Sequence, residues 1–223
     1  STAHRTAEGW VYGFAELLPG QRQRIKFANR VANPGCHATG FLSTAAPLTE
    51  LGVLPRDYPV TCFSLTGYSG GGKKMIAEYE APDRSPLLDA PSLYSIGLAH
   101  KHLPEMQKLA GLDSSFPGII RGCARQNRLL NGSPTAQDIC EMLSSYYEGQ
   151  ELVRVLPFGG EPPRLATSAL AGKDYLTITV SGHTDQTLLT AQFDNLGKGA
   201  SGAAVQNMNI MLGFPESTGL NID

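Results

Sequence analysis

The chain has 223 residues, 41% of them hydrophobic, and a formal net charge of −2. That length holds one large domain, or one and a half small ones, with enough apolar material for a core. The charge balance excludes a general attraction to nucleic acid or anionic membrane, and no apolar run approaches the length of a bilayer span. Four cysteines (Cys36, Cys62, Cys123, Cys140) form no CxxC pair, so reduced thiols in a cytoplasmic protein are expected.

Residues 1–31 are short apolar pieces broken by Gly and Pro; the opening "STAHRTAEGWVYGF" reads like the middle of a longer protein. "HATGFLSTAAPLTELG" (37–52) predicts a helix entered from Pro34-Gly35. "YPVTCFSLTGY" (58–68) is β-branched and aromatic and predicts a strand, as does "SLYSIGLAH" (92–100). "LPEMQKLAGL" follows as a short helix. "SPTAQDICEMLSSYYEG" predicts the clearest helix, with Ser133 as cap, Pro134 in the first turn and Gly149 at the end. Strands follow at "ELVRVLPF", "DYLTITVSG" and "TLLTAQFDN". A last helix from about Ser201 to Leu212 has Val205, Met208 and Leu212 on one face. Strands outnumber helices and several are adjacent, which predicts an α+β fold: a mixed, mainly antiparallel sheet with helices on one face.

"ANPGCHATG" (32–40) is the stretch richest in chemistry. A Pro-Gly turn sets Cys36 at the mouth of a helix, where free N–H groups and the positive dipole end favour thiolate and could hold a developing oxyanion. The plainer alternative is a small buried cysteine beside a turn. In "LAHKHLPEM" (98–106), His100 and His102 share a face if the segment is extended. One could be the acid/base partner of a thiolate, both could ligate a metal with Glu105, or both could be surface residues. The metal reading lacks a further ligand, since His4, His37 and His183 are scattered and the other cysteines fall in strand or helix patterns.

Two glycine motifs fail as nucleotide fingerprints. "GYSGGGKK" (67–74) nearly spells a P-loop, but Lys74 stands where Ser or Thr would hold Mg²⁺. "GKGASG" (197–202) matches GxGxxG, but no second βαβ strand follows it. A glycine-rich helix start remains, where an anion or amide could approach the backbone. Lys73, Lys74 and Arg5 are candidate phosphate contacts.

"STAHR", "WVYGFAEL", "NPGCHATGF", "GYSGGGKK", "LAHKHLPEM" and "FDNLGKGASGAAVQNMN" occur in one order. Together they resemble the N-acetyl-γ-glutamyl-phosphate reductases, in their shorter form, with aspartate-semialdehyde and glyceraldehyde-3-phosphate dehydrogenases as wider relatives. The resemblance implies a glyceraldehyde-3-phosphate-dehydrogenase-like catalytic domain that reduces an acyl phosphate with NADP(H) through a cysteine thioester, in arginine biosynthesis. It implies Cys36 as nucleophile, His100 as acid/base with His102 its rival, and Tyr94, His102 and Arg5 near the substrate. Ser69, Gly70, Gly71, Asn195, Lys198 and Gly199 would line the cofactor. It also implies a homodimer or homotetramer, and a Rossmann half of about 100 residues before Ser1. Residues 1–31 would then be the remnant or edge of that half, 32–200 the catalytic and oligomerisation domain, and 201–223 a helix and tail returning toward the cofactor domain. Two departures stand out: Ala15 where Pro is usual, and "PGIIRGCARQNRLLNGS" (117–133) in place of a long apolar strand. Other readings are a relative acting on another acyl phosphate such as aspartyl phosphate, a Cys–His hydrolase or acyltransferase without cofactor, and a domain inactive alone.

Overall fold

A computed structural model describes residues 2–90, 100–113, 125–126, 129–160 and 164–223. Its main sheet has the order β3-β6-β5-β4, made of β3 (Arg125–Gln126), β4 (Val153–Val155), β5 (Leu176–His183) and β6 (Gln186–Phe193). β5 pairs antiparallel with β6, β3 antiparallel with β6, and β4 parallel with β5. The register sets Leu176, Ile178 and Val180 opposite Phe193, Ala191 and Leu189, so one face of the hairpin is apolar. That face packs on α2 (Cys36–Glu50) and α5 (Ala136–Tyr146) through Phe41, Leu42, Ala45, Ile139 and Leu143. The predicted α+β class, with a mixed and mainly antiparallel sheet, agrees with this architecture.

α2 contains Pro47, which cannot donate to the carbonyl four residues back, at Ser43. Tyr147, just past α5, donates its hydroxyl to that carbonyl at 2.8 Å. The helix therefore continues through the proline with its orphaned acceptor satisfied from another element.

Residues 2–35 form a second layer. β1 (Val11–Tyr12) pairs parallel with β2 (Val31–Ala32), and α1 (Gln21–Lys26) packs on α6 (Gly202–Leu212). The tail returns along the body: Asn209 Nδ2 donates to the carbonyls of Glu216 and Thr218, and Asp174 and Asn221 exchange two hydrogen bonds.

Several predicted elements differ. Residues 58–67 are irregular, not a strand; they alternate between half-buried and exposed and join no ladder among the described residues, so β propensity finds no sheet to fit. The glycine run leads into α3 (Gly72–Glu80), which the pattern did not predict. The strand predicted at 92–100 falls almost wholly outside the described residues. α5 is capped not by Ser133, which adopts φ 48°, but by Thr135, which forms a reciprocal capping box with Asp138. On α6 the expected apolar face is reversed: Met208 and Leu212 are exposed, while Ala203, Gln206, Asn207 and Ile210 are buried. Asn207 is buried because its amide donates to Gly13 O and Asn33 Oδ1.

Candidate active site

Cys36 is the first residue of α2, following an extended Gly35. The N–H groups of the first helical turn have no partner within the helix and point out of its start, beside the thiol. The thiol interacts with the ring of His102 and favours its protonated form. His102 caps α4 (Leu103–Leu109), a short helix helped by Pro104 in its first turn, and Glu105 lies one turn on.

Glu105 organises what lies behind the histidine. It is 2% exposed and accepts from Arg5 Nη1 at 2.8 Å, Tyr12 Oη at 3.1 Å and the Gly35 amide at 3.0 Å, with His102 Nδ1 3.3 Å away. Burial alone would raise its pKa, but His102, the Gly35 amide and Arg5 prevail and hold the carboxylate below its ordinary value. Gly35 can have no side chain here, because a Cβ would collide with the His102 ring and lie 2.7 Å from Arg5 Nη1.

Arg5 Nη1 is also 2.8 Å from His102 Nδ1, and Arg5 Nε donates to Asn33 O at 2.9 Å. With its proton on Nδ1, toward the Glu105 carboxylate, neutral His102 keeps its other ring nitrogen free to accept a proton. Burial disfavours its charge and Arg5 opposes it, yet the bonds to Cys36 and Glu105 outweigh both and raise its pKa. His100 behaves oppositely. Its Nδ1 accepts from the His102 amide at 3.3 Å, and burial, with His102, His37 and Lys101 adding to it, pushes its pKa down to about 4. His37, set aside as scattered in the sequence, stands with its ring 5.3 Å from His100 and 6.0 Å from His102, its Nδ1 2.7 Å from Ser64 Oγ. Its place directly after Cys36 was the available signal. Burial, then His102 and Lys101, lower its pKa too.

The predicted cofactor residues meet at the same end. Asn195 Nδ2 donates to Ser69 Oγ at 3.1 Å, and a Cβ on Gly70 would lie 3.0 Å from Thr66 Oγ1 and 3.3 Å from Asn195 Nδ2. A Cβ on Gly199 would lie 3.1 Å from Cys36 Cβ and 3.0 Å from the Phe193 ring. The glycine thus lets its backbone pack directly against Cys36 and the Phe193 ring. Lys198 differs from expectation: it is 1% exposed and its ammonium points inward to Glu16. Arg5 is turned toward Glu105 and His102, so its guanidinium supports the histidine from behind. Tyr94 lies outside the described residues. Among the described residues, no helix is long and apolar enough to cross a membrane.

The cluster thus sets a thiol at a helix start, with a buried histidine and carboxylate behind it and the Gly199 backbone against it. Residues 36–195 match the family described as semialdehyde dehydrogenase, dimerisation domain. The fold resembles a crystal structure of aspartate semialdehyde dehydrogenase II from Vibrio cholerae, with a TM-score of 0.56 at 18% identity, covering 95% of this chain and 70% of that one. N-acetyl-gamma-glutamyl-phosphate reductase 2 of Nostoc sp. is 42% identical over 99% of this chain and 75% of its own length. N-acetyl-gamma-glutamyl-phosphate reductase of Brucella ovis is 46% identical over 96% of this chain and 74% of its own. The chain belongs to the N-acetyl-gamma-glutamyl-phosphate reductase family, a branch of the semialdehyde dehydrogenases.

Proposed function

We propose that this chain carries the catalytic domain of an enzyme reducing N-acetyl-glutamyl 5-phosphate to N-acetyl-glutamate 5-semialdehyde and phosphate, in arginine biosynthesis. The observation that carries the reading is Cys36 at the start of α2, beside the His102–Glu105 pair, in a chain 42–46% identical to reductases of that name.

Cys36 sulfur attacks the acyl carbon, the carbon–oxygen bond to phosphate breaks, and a thioester forms on Cys36. His102 receives the thiol proton, and the free N–H groups of the first helical turn hold the oxyanion, where one donor contributes about 3 kcal/mol. NADP(H), when bound, supplies the hydride that reduces the thioester carbon. His102 then gives its proton to the resulting oxyanion and takes it back as the carbon–sulfur bond breaks, freeing aldehyde and thiolate. Proton transfer of this kind contributes roughly 10²–10⁴ in rate. The acid/base role, which the resemblance gave to His100, is assigned here to His102. An imidazole whose pKa is about 4 is neutral near pH 7 and has no imidazolium proton to give.

Ser69, Gly70, Gly71, Asn195 and Gly199 would hold the cofactor, with Gly199 nearest the thiol; Lys198 would act from beneath. Tyr94 would remain near the substrate, with Arg5 acting through Glu105 and His102. The division into 1–31, 32–200 and 201–223 fits this reading, with the last segment facing a cofactor domain. A homodimer or homotetramer in the cytoplasm, assembled through the outer face of β5 and β6, is proposed from the dimerisation-domain match and the exposed Leu188 on that face. The direct test is a quenched reaction with N-acetyl-glutamyl phosphate in the absence of NADPH, analysed by mass spectrometry. An acyl adduct on Cys36 supports the reading, and unmodified Cys36 at full substrate saturation defeats it.

A further inference from the structure

An ion pair that no chemical step uses holds the turn beside Cys36 from behind. Residues Gly197–Ser201 form a π-turn, closed by Ser201 N–H donating to Leu196 O at 2.7 Å. Such wide turns are rare and gather at functional sites. In its middle, Lys198 donates to both oxygens of Glu16, at 2.9 and 3.0 Å, and to Gln206 Oε1 at 2.6 Å. Gln206 Nε2 donates onward to Glu16 Oε1 and to Glu216 Oε2. The segment before α1, the helix α6 and the tail therefore converge on one ammonium. Apolar side chains at both 16 and 198 would avoid the cost of desolvating two charges, so the pair has to be explained by what it fixes in place.

What it fixes lies on the next residue. Gly199 borders Cys36 Cβ, and the carbonyl of Ala200 accepts from Asn33 Nδ2 at 2.8 Å, three residues before the thiol. We propose that Lys198 is a positioning residue for the nucleophile: clamped by Glu16 and Gln206, it sets how closely Gly199 and Ala200 press on the Cys36 turn. The proposal rests on Cys36 being the nucleophile, but its principal readout is thiol access, which needs no turnover.

Three variants test it: Lys198→Met, Lys198→Met with Glu16→Leu, and the shape-conserving Glu16→Gln. Alkylation by iodoacetamide is followed at each cysteine by mass spectrometry without cofactor, and NADPH oxidation is measured in parallel. With the turn released, Cys36 is expected to alkylate severalfold faster while buried Cys140 stays slow. Turnover should fall on the order of 10- to 100-fold in kcat with KM little changed, as misplacement of a reacting group predicts. Glu16→Gln should retain part of both properties. A folded variant with the wild-type Cys36 rate overturns the proposal. So does a parallel rise at Cys36 and Cys140, which would mark general loosening, and so does failure of all three to fold. If wild type shows no turnover, the proposed reaction fails while the thiol measurement still decides the positioning role.

Discussion

Arg5 Nη1 lies 2.8 Å from Glu105 Oε2, although the two residues are a hundred positions apart. The contact ties the first turn of the chain to the helix that orients His102. Removing the carboxylate should release both Arg5 and the imidazole. Glu105→Gln is expected to lower kcat by roughly 10²-fold, within the range for a misdirected acid/base group. Steady-state NADPH oxidation at saturating substrate checks this, and unchanged kcat would remove Glu105 from the machinery.

The two histidines should separate cleanly. His102→Asn is expected to cost 10²–10⁴ in kcat, roughly the full contribution of a general acid/base. His100→Asn should cost much less. The reverse order would return the proton-transfer role to His100.

Acid should reveal His100 in another way. Its folded pKa, about 4, is below the ordinary 6.5, so between these values the unfolded chain binds a proton the native state refuses. Stability contributed by the neutral ring is therefore lost as pH falls from 6.5 toward 4. His102, with its raised pKa, works in the opposite sense, stabilising below 6.5 and losing that contribution as pH rises through its folded value. In urea titrations, the stability difference between pH 7 and pH 5 should be smaller in His100→Asn than in wild type. An equal difference would contradict the assigned burial effect.

Much of the site was legible because it is local. The Pro-Gly-Cys turn announces a helix start and "LPEMQKLAGL" a short helix, but the pairing of Glu105 with His102 one turn away goes unread. What sequence reading missed depends on distant partners. Nothing near Arg5 indicates that it meets Glu105, and His37 gains meaning only when α4 brings His100 and His102 beside it. The face of α6 was misassigned for a related reason: Gln206 and Asn207 look like surface residues until Lys198, Glu16 and Gly13 supply their partners. The stretch at 58–67 shows the converse, strand-like residues with no neighbouring strand to accept them.

Burial of Glu16 carries its own energetic test. Its carboxylate is fully enclosed with Lys198, while Arg22 stands 3.8 Å away and half-exposed. Glu16→Ala should cost about 3–5 kcal/mol in urea unfolding, because it strands a buried ammonium. Arg22→Ala, which removes only a partly solvated charge, should cost about 1 kcal/mol or less. Equal effects would mean that the enclosed pair is not the anchor.

The Tyr147 hydroxyl can be tested by deletion. Tyr147→Phe leaves the Ser43 carbonyl buried without its donor, at a cost of about 1–3 kcal/mol. Calorimetry should show a lowered Tm with little change in KM. An unchanged Tm would show that the carbonyl finds another donor.

That same bond has a bearing on the order of assembly. The rod that begins at Cys36 contains a proline that breaks its own ladder, and the missing donor arrives from a residue about a hundred places later in the chain. The early half of the chain can make the coil but cannot finish it. The far end of that coil is therefore finished by its neighbour and not by its own ladder.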